Sequence, residues 1–169
     1  SGYALGIDSV AFAGGMAALT ESIRMLVAVR CGELWPPQLA RQLATLDQML
    51  NGRLAVNIIS SDIPGETLAS VPRYARTRET MQVLRDLLNG KPIDFDGEFW
   101  QLNLDPPNAR TVSGQCPLFY FGGLSEPARE VASECADVFL MWPDTLPTVE
   151  NLLADMRQRA DNYNRTLRF

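Results

Sequence analysis

The sequence predicts an α/β fold built on a parallel sheet. Strand-like runs such as "IRMLVAVR" (23–30) and "RLAVNIIS" (53–60) are apolar throughout and lack a two-residue alternation. Helix-like runs such as "PPQLARQLATLDQMLNG" (36–52) separate them. Strand, helix, strand in that order, with apolar strands, means parallel pairing, right-handed crossovers and helices packed outside the sheet. The 169 residues, 46 % of them apolar, suffice for one domain spanning 1–169.

Each element has its own signal. "YALGI" (3–7) reads as a strand and "VAFAGGMAALTE" (10–21) as a helix, followed by the strand 23–30. In the helix 36–52, Pro36 and Pro37 occupy the first turn. Leu39, Leu43, Leu46 and Leu50 form one stripe, and Asn51 and Gly52 close it. The strand 53–60 leads into a polar loop, 61–72. "RYARTRETMQVLRDLLNG" (73–90) is a helix with the same Asn-Gly ending. "DFDGEFWQL" (94–102) alternates around Asp96 and Gly97 and predicts a small β-hairpin insertion. Strand 117–121, helix 125–135, strand 137–141 and helix 147–162 follow, and a further strand starts at "TLRF".

Set apart from the hairpin, about six strands form the parallel series. Two architectures fit them: an open doubly wound sheet, or part of a (β/α)8 barrel, which needs about 250 residues when complete. Both place functional groups on the loops that follow the strands. Those loops hold Asp8 and Ser9, then 30–32, 57–62, 122–125 and 142–144.

Composition removes several functions. The chain has no histidine, so no Ser-His-Asp triad, His-based metal site or imidazole base forms within it. Chemistry here rests on carboxylates, Tyr, Arg, Cys or a cofactor. Twenty acidic against fifteen basic residues, without a basic cluster, argue against a nucleic-acid partner. No apolar run approaches the ~20 residues of a membrane span, and no signal-peptide pattern is visible, which points to a cytoplasmic protein without a membrane partner. Cys31, Cys116 and Cys135 are odd in number and lack a CxxC spacing, so they read as three reduced thiols and no metal site is expected.

One turn carries a sharper signal. In "CPLFYFGGLSEPAREVA" (116–132) a buried strand passes through Gly122, Gly123, Leu124 and Ser125 into a helix. A tight turn is the plain reading. The other is an anion seat: helix N-terminal amides are unpaired at the positive end of the macrodipole, and glycines allow close approach. The Ser125 hydroxyl either caps the helix or donates to the anion.

Three stretches, "LVAVRCGELWPPQLARQLATLDQMLNGRLAVNII", "RYARTRETMQVLRDLLNGKPIDFDGEFWQL" and "PLFYFGGLSEPAREVASECADVFLMW", resemble the bacterial luciferase-like flavin monooxygenases, with the alkanesulfonate monooxygenase branch nearest. The resemblance covers nearly the whole chain, in order. It implies a (β/α)8 TIM barrel of the luciferase-like type, of which this chain is the central part. It further implies reduced FMN delivered by a partner flavin reductase, O2 activation at the flavin C4a, a small organic substrate such as an alkanesulfonate, and a homo-oligomer. The deazaflavin coenzyme F420 is the alternative cofactor.

Two departures from the family's pattern bear on function. The loop that usually separates "GIDS" from "VAFAGGMA" and shapes the active site is almost absent. The sulfonate branch also places an Arg and a His on the strand that begins "LRF", where this chain stops at Phe169. The native protein is therefore expected to be longer than 169 residues, and the catalytic residues are left unassigned.

By the same resemblance, the turn of Gly122, Gly123, Leu124 and Ser125 receives the FMN phosphate, and Tyr74 in "RYART" reaches that region or else anchors its helix. Asn57 and Ser60 stand near the flavin, or serve only as a paired strand amide and an ordinary strand-end hydroxyl. Trp142 either faces the ring or plugs the barrel mouth. Arg110 reads as an exposed loop residue before it reads as an anion contact, and Asp47 and Arg53 read as solvated or helix-packing charges. Three functions remain open: a two-component FMN monooxygenase, a flavin-binding protein without turnover, and a non-enzymatic α/β module that binds a phosphate ligand or a partner protein.

Overall fold

In the computed structural model, residues 6–63 and 65–169 are described. Along the chain run α1 (Ser9–Ala17), β1 (Met25–Arg30), α2 (Pro36–Met49), β2 (Leu54–Ile59), α3 (Ser70–Leu88), β3 (Ile93–Asp96) and β4 (Gln101–Leu104). These are followed by β5 (Phe119–Gly122), α4 (Glu126–Cys135), β6 (Val138–Leu140) and α5 (Leu146–Asn162). The strand expected over 3–7 falls mainly on residues outside the described ones; Gly6 and Ile7 are not in a strand.

The four long-range strands pair in parallel in the order β1-β2-β5-β6. A doubly wound sheet reverses its order at a switch point, whereas a barrel adds each new strand to the same edge. Here the order never reverses. The helices follow suit, α1 packing on α2, α2 on α3, α3 on α4 and α4 on α5. The sheet is therefore wound as a barrel. The strand beginning at "TLRF" also starts where expected: Phe139 N donates to Arg168 O (2.8 Å) and Arg168 N to Asp137 O (3.1 Å), which sets Arg168 beside β6.

The core lies between sheet and helices. Register rows Val27, Val56, Phe119 and Val29, Ile58, Phe121, Phe139 point to the helices and are buried. Leu39, Leu43, Leu84, Leu87 and Met156 meet them from α2, α3 and α5. The opposite face differs from expectation. Leu26 is 47 % exposed, Ala28 is exposed, and Asn57 and Tyr120 are half-buried, so burial along β1 alternates although its sequence does not. Both faces are apolar, but the described residues cover only one.

Three boundaries moved for local reasons. α1 ends at Ala17 rather than 21, because the next residues are tied elsewhere: Arg53 donates to the Thr20 carbonyl (2.7 Å) and to the carbonyl of Ile23 (2.5 Å). α3 starts at Ser70, with Pro72 inside its first turn, where a missing N–H costs nothing. The hairpin turn is longer than the Asp96-Gly97 pair: Asp96 pairs with Gln101, and residues 97–100 form the loop. Both Asn-Gly endings hold, with Asn51, Gly52 and Gly90 at positive φ.

Candidate functional site

The loops after β2, β5 and β6 meet at one end of the open face and enclose a hollow of about 630 Å³. Its walls include Asn57, Ile59 and Ser60 from β2, Gly122, Gly123 and Leu124 after β5, and Leu140, Met141 and Trp142 after β6. Asn57, Ser60, Gly122, Gly123, Leu124 and Trp142, all singled out in the sequence, therefore share one cavity. Tyr74 and Ser125 stand just outside its lining. Trp142, 84 % exposed, sits on the rim.

Glycine is required at both positions of the turn. A Cβ on Gly122 would lie 2.8 Å from the Leu140 carbonyl oxygen, across the β5–β6 pairing. A Cβ on Gly123 would lie 2.6 Å from Ala128 Cβ and 3.5 Å from the Tyr74 hydroxyl. The turn thus lies tight against α4, and Tyr74 backs it, held edge-on to Phe121 with ring centroids 6.3 Å apart. Ser125 is the N-cap of α4 by position, but its side chain makes no capping bond, and Pro127 follows in the first turn. Unpaired amides, the positive end of a ten-residue helix and an unengaged hydroxyl converge there. These groups suit a phosphate.

Ser60 is positioned from α3, whose Thr77 donates to the Ser60 oxygen (2.9 Å). The Asn57 side chain borders the cavity and has no hydrogen-bond partner among the described residues. A second hollow of about 320 Å³ adjoins the first and shares Ile59 with it. Asp8, Ser9, Ala28, Arg30 and Glu33 line it. Asp8 caps α1 by accepting from Ala11 N (2.7 Å), Ser9 donates to the Ala28 carbonyl (2.5 Å), and Arg30 donates to the Asp62 carbonyl (3.1 Å).

The remaining candidates lie elsewhere. Arg110 is an exposed loop residue whose guanidinium covers Gly90, away from the cavity. Asp47 and Arg53 are packing charges and not solvated ones: Asp47 is 4 % exposed and accepts from Val112 N (2.8 Å), and Arg53 ties down the segment after α1. The three cysteines are free, and burial pushes each thiol up to about 12, so none is a ready nucleophile. Leu140 and Met141 were not foreseen as site residues, and Ile59 only as part of the loop 57–62. Nothing in an apolar strand distinguishes its inward positions until one knows which face the helices cover.

The family model described as luciferase-like monooxygenase matches residues 1–169. The chain belongs to the luciferase-like monooxygenase family. A sulfoquinovose monooxygenase of Novosphingobium aromaticivorans is 59 % identical over all of this chain and 49 % of its own length. The EDTA monooxygenase of Chelativorans sp. BNC1 superposes with a TM-score of 0.85 at 21 % identity, over 95 % of this chain and 45 % of that one. A coenzyme F420-dependent tetrahydromethanopterin reductase of Methanopyrus kandleri gives 0.78 at 20 % identity, over 94 % and 51 %. The chain spans about half the length of the curated relatives it matches. Its sheet is accordingly part of a luciferase-like barrel, and the uncovered face is the barrel's inner face. No described helix is long and apolar enough to cross a membrane.

Proposed function

We propose that this chain is the central, cofactor-holding part of a cytoplasmic, single-domain monooxygenase that uses reduced FMN on a sulfonate. The observation that carries the reading is the glycine turn packed against α4 beneath Tyr74, beside an uncapped helix N-terminus. Bound reduced flavin supplies the oxygen-activating chemistry. The residues supply binding and placement. The α4 amides and the Ser125 hydroxyl take the phosphate, while Gly122 and Gly123 keep side chains out of its way and Tyr74 fixes the turn. Asn57 and Ser60 offer an amide and a hydroxyl to the body of the cofactor, and Leu140, Met141 and Trp142 shield it from water. Without histidine, this chain offers no imidazole to protonate a leaving group.

The relative's name gives sulfoquinovose, a sulfonated sugar, as the most specific substrate class. Reduced FMN would come from a separate flavin reductase, O2 is the second substrate, and the protein would act as a homo-oligomer. The likeness to an F420-dependent reductase favours a second reading, with the deazaflavin in the same seat; side-by-side titration of the two cofactors separates them.

The test of the seat uses the whole protein. Ser125→Asp sets a carboxylate beside a dianion and removes a donor, which should weaken FMN binding by about 2–3 kcal/mol, or roughly 30- to 150-fold. Gly123→Val should act similarly by filling the space next to Ala128. Riboflavin, which lacks the phosphate, should be nearly indifferent to Ser125→Asp. Fluorescence titration with both ligands reads the contrast. Equal losses for both, or none for FMN, would leave the turn as a turn only.

A further inference from the structure

We propose that Arg159, on α5 and outside the cavity, is a positioning residue for the phosphate seat: it holds the Glu126 carboxylate away from the terminal amides of α4 and so keeps them free for the ligand. The inference rests on the reading of the glycine turn as that seat and deepens it.

The need for such a clamp lies in the residues of the turn. Ser125 is the N-cap of α4 by position, and Glu126 is its first helical residue. The first turn is where the helix dipole draws an anion, and a carboxylate placed there competes for the same unpaired N–H groups. Pro127 has no N–H, so α4 has only the terminal amides of Ser125, Glu126 and Ala128 to offer. A free Glu126 carboxylate would occupy some of them and repel a phosphate besides.

Two guanidinium groups remove that competitor. Arg159 Nη1 donates to Glu126 Oε1 (2.7 Å) and Nη2 to Oε2 (3.0 Å), a two-pronged pair that engages both carboxylate oxygens. Arg129 Nη2, one turn along α4, also donates to Oε2 (3.1 Å). Arg159 is itself fixed, with Nε donating to Asp155 (2.9 Å) and Nη1 also to Glu130 (3.0 Å). Arg129 donates to the same Asp155 (2.9 Å). The hydrogen bonds to Glu126 raise the Arg159 pKa further above its ordinary value, so the clamp stays charged. Arg129, Asp155 and Arg159 all lie outside the lining of the cavity. With the Glu126 side chain 64 % exposed, the pair adds little to stability. Its consequence is where the carboxylate sits.

The experiment titrates the whole protein with FMN and with riboflavin, read by fluorescence. In Arg159→Gln the freed carboxylate should lower FMN affinity roughly three- to tenfold and leave riboflavin affinity unchanged. Glu126→Gln alone should alter FMN affinity by less than about twofold, because the carboxylate it removes is already held. The double variant should return to within about twofold of the native affinity. A lost cation or a loosened contact between α4 and α5 would not be rescued by removing Glu126. Should Arg159→Gln fail to fold, Arg159→Lys, which keeps the charge but not the fork, enters the same cycle and should show a smaller loss with the same rescue. Ser125→Asp separates the clamp from the seat. If it weakens FMN selectively while the arginine variant does not, the clamp is overturned and the seat stands. The same holds if the loss persists in the double variant or extends equally to riboflavin. If Ser125→Asp spares FMN as well, the seat is wrong and the clamp falls with it.

Discussion

Asp137 is a residue whose importance no local sequence pattern announces. Its Oδ2 accepts from Phe119 N (2.8 Å) and Arg85 (3.0 Å), and its Oδ1 from Arg165 (3.2 Å). One carboxylate thus joins the start of β5, the end of α3 and the exit from α5. It lies beyond the strands' N-terminal ends, opposite the candidate site, where a barrel keeps residues for stability rather than chemistry. Asp137→Ala would strand an amide and leave two guanidinium groups without their anion, and should cost about 2–3 kcal/mol. Asp137→Asn, which still accepts at one oxygen, should lose about half of that. Urea denaturation measures both, and a loss below about 0.5 kcal/mol for the alanine variant would show the cluster to be ornamental. The sequence could not reveal this, because the partners lie 18, 52 and 28 residues away. Asp47 was obscure for the same reason: its partner, Val112 N, is 65 residues distant. The glycine turn was legible because all its parts are consecutive.

At the scale of elements, the hairpin shows how one helix residue sets a turn. Glu79 on α3 accepts from the amides of Glu98 (2.8 Å), Phe99 (2.9 Å) and Trp100 (3.1 Å), while the Trp100 ring N–H donates to Thr80 (3.0 Å). A Cβ on Gly97 would fall 2.4 Å from a Glu79 oxygen, so the glycine makes room for the carboxylate. This capture explains why the loop is four residues long when Asp96-Gly97 signals two. The pairing of two strands was legible in their alternation, whereas the turn was set by a residue outside the hairpin. Glu79→Ala should therefore release the loop and cost about 2–3 kcal/mol. In hydrogen exchange, the amides of residues 98–100 should lose protection while those of β1 and β2 keep theirs. Unaltered protection at 98–100 would sink the argument. Since the hairpin stands apart from the cavity, binding of the proposed cofactor should not follow.

At the scale of the molecule, the sequence showed parallel strands with helices outside but not how they were wound. Unbroken apolar strands fit a doubly wound sheet and a barrel equally well, because in both each strand is covered on two sides. The strand order decides for the barrel, and the inner face then carries its own test. Leu26 and Val27 are neighbours on β1 pointing opposite ways, 47 % and 4 % exposed. Val27→Glu drives a charge among the helices and should cost more than about 3 kcal/mol in any context. Leu26→Glu depends on what lies opposite it. In the 169-residue chain alone the glutamate reaches solvent, and the change should stay within about 1 kcal/mol. In a protein of the relatives' length, whose further strands close the barrel, the same glutamate points into a filled interior and should cost at least about 3 kcal/mol. Denaturation of both variants in both lengths gives four numbers, and only the Leu26 value should change with length. If Leu26→Glu is mild in the longer protein too, the inner face stays wet at β1, and the apolar residues on it need another explanation than barrel closure.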